Sequence, residues 1–191
     1  MPPSTAALAV RSGSGALSNE AIGWSAEIHE AAYGYWGLSA FLIPDNDLVA
    51  LSARVPQIRR RRQVRFTTVA VLRTAGLAVL DTTAHPLHAT IVLADLSPPV
   101  YELLRACFSD PTDNPGYVMA LGGLNPGEAD LWADDHIVDE GGRVLTLARL
   151  ARAGIEPAVG ARVMAGDGDD PPFPATIVEA TASGVLVLRP D

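Results

Sequence analysis

Charge is divided unevenly along this chain of 191 residues, and that division limits what the chain can fold into. Residues 1–117 hold nine Arg against ten Asp and Glu, a net of −1, whereas residues 118–191 hold five Arg against twelve acids, a net of −7. Between the two regions, Pro111, Pro115 and Gly116 follow one another closely, a composition that interrupts regular structure. The asymmetry reads as two modules with different surfaces, not one uniform enzyme domain. With 48% apolar residues the chain has ample material for a core. Its length suits one medium domain or two small ones.

Composition also excludes chemistry. All fourteen cationic side chains are Arg. A phosphate-loop lysine, a Schiff-base lysine and a kinase-type lysine are therefore ruled out. The single cysteine, Cys107, rules out an internal disulfide and any multi-cysteine zinc site, and it suits a reducing compartment. Residues 1–19 have no basic segment ahead of a long apolar one, so they read as a flexible lead-in and not as a signal peptide. No apolar run reaches membrane-spanning length. The expectation is a cytoplasmic protein with no membrane partner and no cofactor.

Apolar spacing predicts an amphipathic helix over 20–32, around Trp24 and Ile28, then a strand over 38–43. Asp47 caps a helix running to about residue 55. Thr67 and Thr68 are cap candidates for a helix over 69–75, with Gly76 just beyond its end. Strands follow over 77–80 and 88–93. Ser97 and the two prolines after it open a helix to about residue 108. Residues 111–127 read as a linker. An acidic stretch surrounds Asp134, Asp135, His136, Asp139 and Glu140, and residues 143–153 read as a helix or as a strand followed by a helix. Short alternating segments over 160–164, 175–180 and 185–189 suit a small twisted sheet. The fold class is α+β: a small β-α-β-β-α module over 20–110, followed over 128–191 by an acidic segment and a small SH3-like β-barrel.

The clearest electrostatic feature is the run Arg59, Arg60, Arg61 and Arg62, extended by Arg65. Guanidiniums in this density neutralise phosphates and stack on bases, which makes RNA a candidate partner. The same run also fits a solvated helix end, or an intramolecular dock for the acidic half. Tyr33, Tyr35 and Trp36 sit at a strand entrance, where aromatics stack on bases or close the end of a core. His85 and His88 flank a strand start. His88 is the candidate general base or acid, because metal-free RNA cleavage needs one proton acceptor and one donor; a structural role is the other reading. The run from His29 to Tyr33 misses the H-E-x-x-H zinc pattern at its last position. Asp134, Asp135, Asp139, Glu140 and His136 allow three readings: oxygen ligands for a divalent cation, an exposed acidic loop, or a mimic of nucleic-acid charge set against an Arg surface. Asp167, Asp169 and Asp170 lack the spacing of a calcium loop. No dinucleotide fingerprint and no nucleophile elbow is present, and no metal is expected.

Three segments carry a resemblance. They are Tyr35-Trp36-Gly37-Leu38-Ser39-Ala40-Phe41, Val64-Arg65-Phe66-Thr67-Thr68-Val69 with Leu72-Arg73 and Ala75-Gly76-Leu77, and His88 with Ile91-Val92-Leu93 and Asp95-Leu96. Together they resemble a family of small uncharacterised bacterial proteins encoded beside a second, acidic protein. That second partner is resembled by Asp139-Glu140-Gly141-Gly142-Arg143-Val144 and by Val159-Gly160-Ala161-Arg162-Val163 with Ala165-Gly166-Asp167. The resemblance implies a toxin–antitoxin-like pair fused in one chain, with the junction near Met119. In that expectation an Arg-rich N-terminal module contacts or cleaves RNA, and the acidic C-terminal module restrains it. The other expectation is a non-enzymatic interaction or structural protein.

Overall fold

Ala7–Arg11 (β1), Asn19–Tyr33 (α1), Gly37–Leu42 (β2), Leu48–Arg54 (α2), Pro56–Arg59 (α3) and Gln63–Thr68 (β3) come first along the chain. Val69–Thr74 (α4), Ala78–Leu80 (β4), His88–Val92 (β5), Pro98–Ala106 (α5) and Thr112–Asp113 (β6) follow. The six strands form one sheet of order β4-β5-β2-β1-β3-β6, antiparallel throughout. The structure is a computed structural model that describes residues 7–11, 17–43, 46–81, 87–117, 129–168 and 171–191.

Local chemistry sets the helix ends. Ser18 accepts from the amide of Ala21 at the start of α1, and Gly34 closes that helix at φ 80°, a left-handed position that glycine occupies without strain. Asp47 accepts from the amides of Val49 and Ala50 at the start of α2, and Thr68 from that of Val71 at the start of α4. The Asp47 and Thr68 caps stand where the residue types predict them.

Two expectations are corrected. Residues 1–19 are not all lead-in: β1 lies inside the sheet, with Ala9 opposite both Phe41 of β2 and Phe66 of β3. A run of five residues is too short to announce itself by periodicity, but ladders on both edges satisfy its backbone. Residues 111–127 are not all linker either. Thr112 and Asp113 pair with Val64 and Gln63, extending the sheet beyond β3. The first region is thus a six-stranded sheet, larger than the predicted β-α-β-β-α unit.

Strand alternation gives this sheet two apolar faces. On one, Leu38, Ala40, Ala89 and Ile91 pack with Ile22 and Ala26 of α1, Leu72 of α4 and Leu104 of α5. On the other, Phe41, Ile43 and Val64 pack with Leu51, Val55 and Ile58 of α2 and α3.

The remaining strands, Leu131–Trp132 (β7), Val144–Leu147 (β8), Arg162–Gly166 (β9), Phe173–Ala180 (β10) and Val185–Pro190 (β11), form a second sheet of order β7-β9-β10-β11-β8. The segment 143–153 is resolved as strand β8 followed by a single 3₁₀ turn, Ala148–Leu150. A bridge from Leu131 to Ala151 ties the two ends together, so the sheet is a nearly closed small barrel. Its own core holds Leu131, Val163, Ala175, Ile177 and Leu188.

α1 is the wall shared by the two sheets. Residues 22 and 26 face the first core, while Ile28, Ala31, Ala32 and Tyr33 pack with Ile137, Leu145, Leu147, Val185 and Val187 of the barrel side. Trp24 meets Trp132 edge to face, with ring centroids 4.9 Å apart. Truncating Ile28, which is fully buried on the barrel side of α1, therefore loosens the contact that joins the two parts. Ile28→Ala should cost about 2–5 kcal/mol and shift a single cooperative unfolding transition in denaturant. Two separate transitions, only one of them shifted, would contradict a shared wall.

Candidate functional site at the seam between the sheets

Besides this apolar contact, the seam holds a buried polar cluster drawn from both sheets. From the N-terminal part come Ser25 and His29 of α1, Ser39 of β2, His88 of β5, and Arg61, which follows α3. From the C-terminal part come Asp134, Asp135 and His136, which follow β7, and Asp167, which follows β9. Three of the chain's four histidines thus lie in one cluster; His85 lies outside the described residues.

Register places the first group. Phe41 pairs with His88 and Ser39 with Thr90, so all four point to the same face of the sheet. Gly37 is required here, because a Cβ at that position would lie 2.5 Å from Thr90 Cγ2 and 3.3 Å from His29 Cγ. The space left by its missing side chain lets His29 lie against the sheet. His29 Nε2 sits 3.0 Å from Ser39 Oγ, and His88 Nε2 sits 3.1 Å from the same oxygen. His88 Nε2 is also 3.1 Å from the carbonyl oxygen of His136.

A carbonyl only accepts, so His88 Nε2 carries a proton. Ser39 then gives its own proton to His29 Nε2, which leaves the His29 proton on Nδ1. This assignment needs a neutral His29. Burial, and secondarily the neighbouring His88, push its pKa down to about 3, with Asp134 opposing. His29 Nδ1 is itself buried without a hydrogen-bond partner, as is His136 Nε2.

The second group is electrostatic. Arg61 is 3% exposed. Its Nη2 donates to Asp135 Oδ1 at 2.5 Å and its Nη1 to Asp167 Oδ2 at 2.9 Å. Asn114 holds the backbone that presents it: the carboxamide donates to the carbonyls of Ile58 and Arg61, each at 2.9 Å. Ser52 Oγ and the Gly116 amide donate back to the Asn114 oxygen. Beside the ion pairs, Asp134 Oδ1 accepts from the amide and Nδ1 of His136, and its Oδ2 accepts from Ser25 Oγ. An exposed acidic loop is therefore the wrong description of residues 134–136, all of which are buried.

One donor atom each from Asp134, Asp135 and His136 lie within 4.8 Å of one another, close enough to share a cation. The hydrogen bonds do not fit one. His136 Nδ1 donates a proton to Asp134, and Asp135 Oδ1 is held by Arg61. A metal would have to displace both.

The other Arg candidates lie elsewhere. Arg59, Arg60 and Arg62 are exposed. The Arg60 guanidinium stands 5.9 Å from the centre of the Phe173 ring, and Arg65 donates to the carbonyl of Ser109 at 3.0 Å. The Arg run is thus split, with one member turned into the seam and three left at the surface. Tyr33 closes the seam at one end: its hydroxyl donates to the carbonyl of Val138, and burial pushes its pKa up to about 12. Tyr35 stacks on Tyr33, while Trp36 packs against the first core. Ser25, Ser39 and Asn114 are not picked out by their residue types, His29 enters only as part of the incomplete zinc pattern, and Asp167 only as part of a stretch without calcium-loop spacing. Only the presence of a glycine two residues before Ser39 hinted at close packing there.

No family model, curated protein or solved structure matches this chain. No helix among the described residues is long and apolar enough to cross a membrane.

The depressed His29 pKa has a thermodynamic consequence. Between its ordinary pKa of 6.5 and about 3, the unfolded chain takes up a proton that the folded chain refuses. Stability should fall as pH drops through that window, by up to about 1.4 kcal/mol per pH unit from this group. Denaturant titrations of the native chain and of His29→Gln should show a shallower pH dependence in the variant. Equal slopes would contradict a buried neutral imidazole.

Proposed function

We propose that the chain is a self-restrained two-module protein of toxin–antitoxin type, acting in the cytoplasm. In this reading the N-terminal α+β module is the RNA-contacting part, and the C-terminal module, an acidic segment on an SH3-like barrel, is its cover. The observation that carries the reading is Arg61, held out of water between Asp135 and Asp167 of the acidic half. His88, the candidate proton-transfer residue, is covered by the same segment through the carbonyl of His136. The exposed Arg59, Arg60 and Arg62 border the covered region, so uncovering Arg61 would complete one cationic strip.

A second reading, a non-enzymatic interaction or structural protein, is favoured by a different observation. His29, Ser39 and His88 are nearly inaccessible and linked by hydrogen bonds at the Ser39 hydroxyl, and Asp134 is equally buried on Ser25 and His136, as in a permanent core.

One experiment separates the two. A protease site is inserted between residues 117 and 129 of the full chain, and the chain is cut. The restrained-module reading expects the pieces to stay together at low salt. It expects them to part in the Asp135→Asn, Asp167→Asn chain, and the freed N-terminal piece to retain single-stranded RNA with an affinity that falls steeply with salt. Pieces that part without RNA binding, or that never part, would favour the structural protein.

A further inference from the structure

The two carboxylates on Arg61 come from separate segments, one after β7 and one after β9. They reach the two terminal nitrogens of a single guanidinium, at 2.5 and 2.9 Å. Two oxygens of one phosphate group would meet the same two nitrogens in the same forked manner, which is the geometry for which a guanidinium is suited. Two parts of the structure hold the fork in place without help from the acidic half. Asn114 fixes the backbone of Arg61 through two hydrogen bonds, and Ser52 and Gly116 fix Asn114 in turn. All of these residues belong to the N-terminal part. Above the fork, a cleft of about 20 Å³ lined by Arg60, Arg61, Asp135, Asp167 and Phe173 opens outward. That is room for about one water.

We infer that Arg61 is the phosphate-binding residue of the N-terminal module, and that Asp135 and Asp167 stand in for the non-bridging oxygens of a nucleic-acid phosphodiester. The inference rests on the restrained-module reading and specifies how the cover works. The acidic half does not merely neutralise a basic surface; it occupies one seat. The chemistry of that seat is a tetrahedral oxyanion. Arg60 and Arg62 beside it distinguish a polyanionic strand from a free phosphate, because only the strand engages them together with Arg61.

The test uses the full-length chain with both carboxylates neutralised, Asp135→Asn with Asp167→Asn, and inorganic phosphate as the probe. Phosphate should raise its melting temperature, while chloride at equal ionic strength should not. Adding Arg61→Gln should weaken phosphate binding by about tenfold or more, the scale of one charge-assisted forked contact. A short single-stranded RNA should bind the double variant more tightly than phosphate does, and should lose that margin when Arg60 and Arg62 are also changed to Gln. Equal affinity for the two would assign the seat to a free phosphate and overturn the nucleic-acid assignment. A folded double variant that ignores phosphate, or a phosphate effect that survives Arg61→Gln, would overturn the seat itself.

If the double variant does not fold, the native chain supplies the second measurement. Phosphate competing for Arg61 should speed amide exchange over residues 131–137 beyond what chloride does at matched ionic strength, and equal exchange in the two salts would overturn the inference. Failure of phosphate binding while the cut pieces still part would remove the mimicry and leave the restraint standing. Pieces that never part, with phosphate still bound through Arg61, would leave the seat and remove the restraint.

Discussion

A guanidinium taken out of water must be matched by acceptors, or its burial costs several kcal/mol. The placement of the acidic half over the first sheet depends on that requirement at Arg61. Asp135 and Asp167 must arrive together, and they can do so only if β7 and β9 lie side by side, as their parallel pairing ensures. The same approach brings His136 over His88 and Phe41, and sets Asp134 against Ser25. α1 supplies the apolar counterpart, burying one side in each core. The ion pairs therefore fix where the seam sits, and the apolar wall packs beside them.

The polar cluster is not uniform. Its Arg61 end is charged, borders a small cleft and uses the one member of the Arg run that is turned inward. Its His29–Ser39–His88 end is closed, and its proton positions follow from a single carbonyl acceptor. Two ring nitrogens, on His29 and His136, are buried without a hydrogen-bond partner. A seam selected only for stability would be expected to replace such groups by apolar ones. Their presence here is the physical reason to seek a role for this face beyond packing.

Much of the local structure was legible in the sequence because it is decided by neighbouring residues. Asp47 and Thr68 cap helices where their side chains predict, and Gly34, which follows Tyr33, ends α1 in the left-handed conformation. The strands of the barrel that alternate regularly were placed to within a few residues. What could not be read was decided by distant pairing. β1 is a strand because β2 and β3 flank it, and β6 because β3 has a free edge. The candidate site shows the same division. The Arg run and His88 were visible by residue type, but nothing local distinguishes Arg61 from Arg60 or Arg62. Its burial follows from Asn114, a contact 53 residues away, and from acids 74 and 106 residues away.

The most direct test of this account is a double-mutant cycle between Arg61 and Asp135, read by equilibrium unfolding in denaturant. Arg61→Gln and Asp135→Asn are measured singly and together. A seam set by this pair predicts that each single change is strongly destabilising, by about 3–5 kcal/mol, and that the double variant is far less destabilised than the sum, with a coupling of about 1–3 kcal/mol. Additive single changes, with no coupling, would mean that the two halves are held by α1 alone and that the burial of Arg61 is incidental.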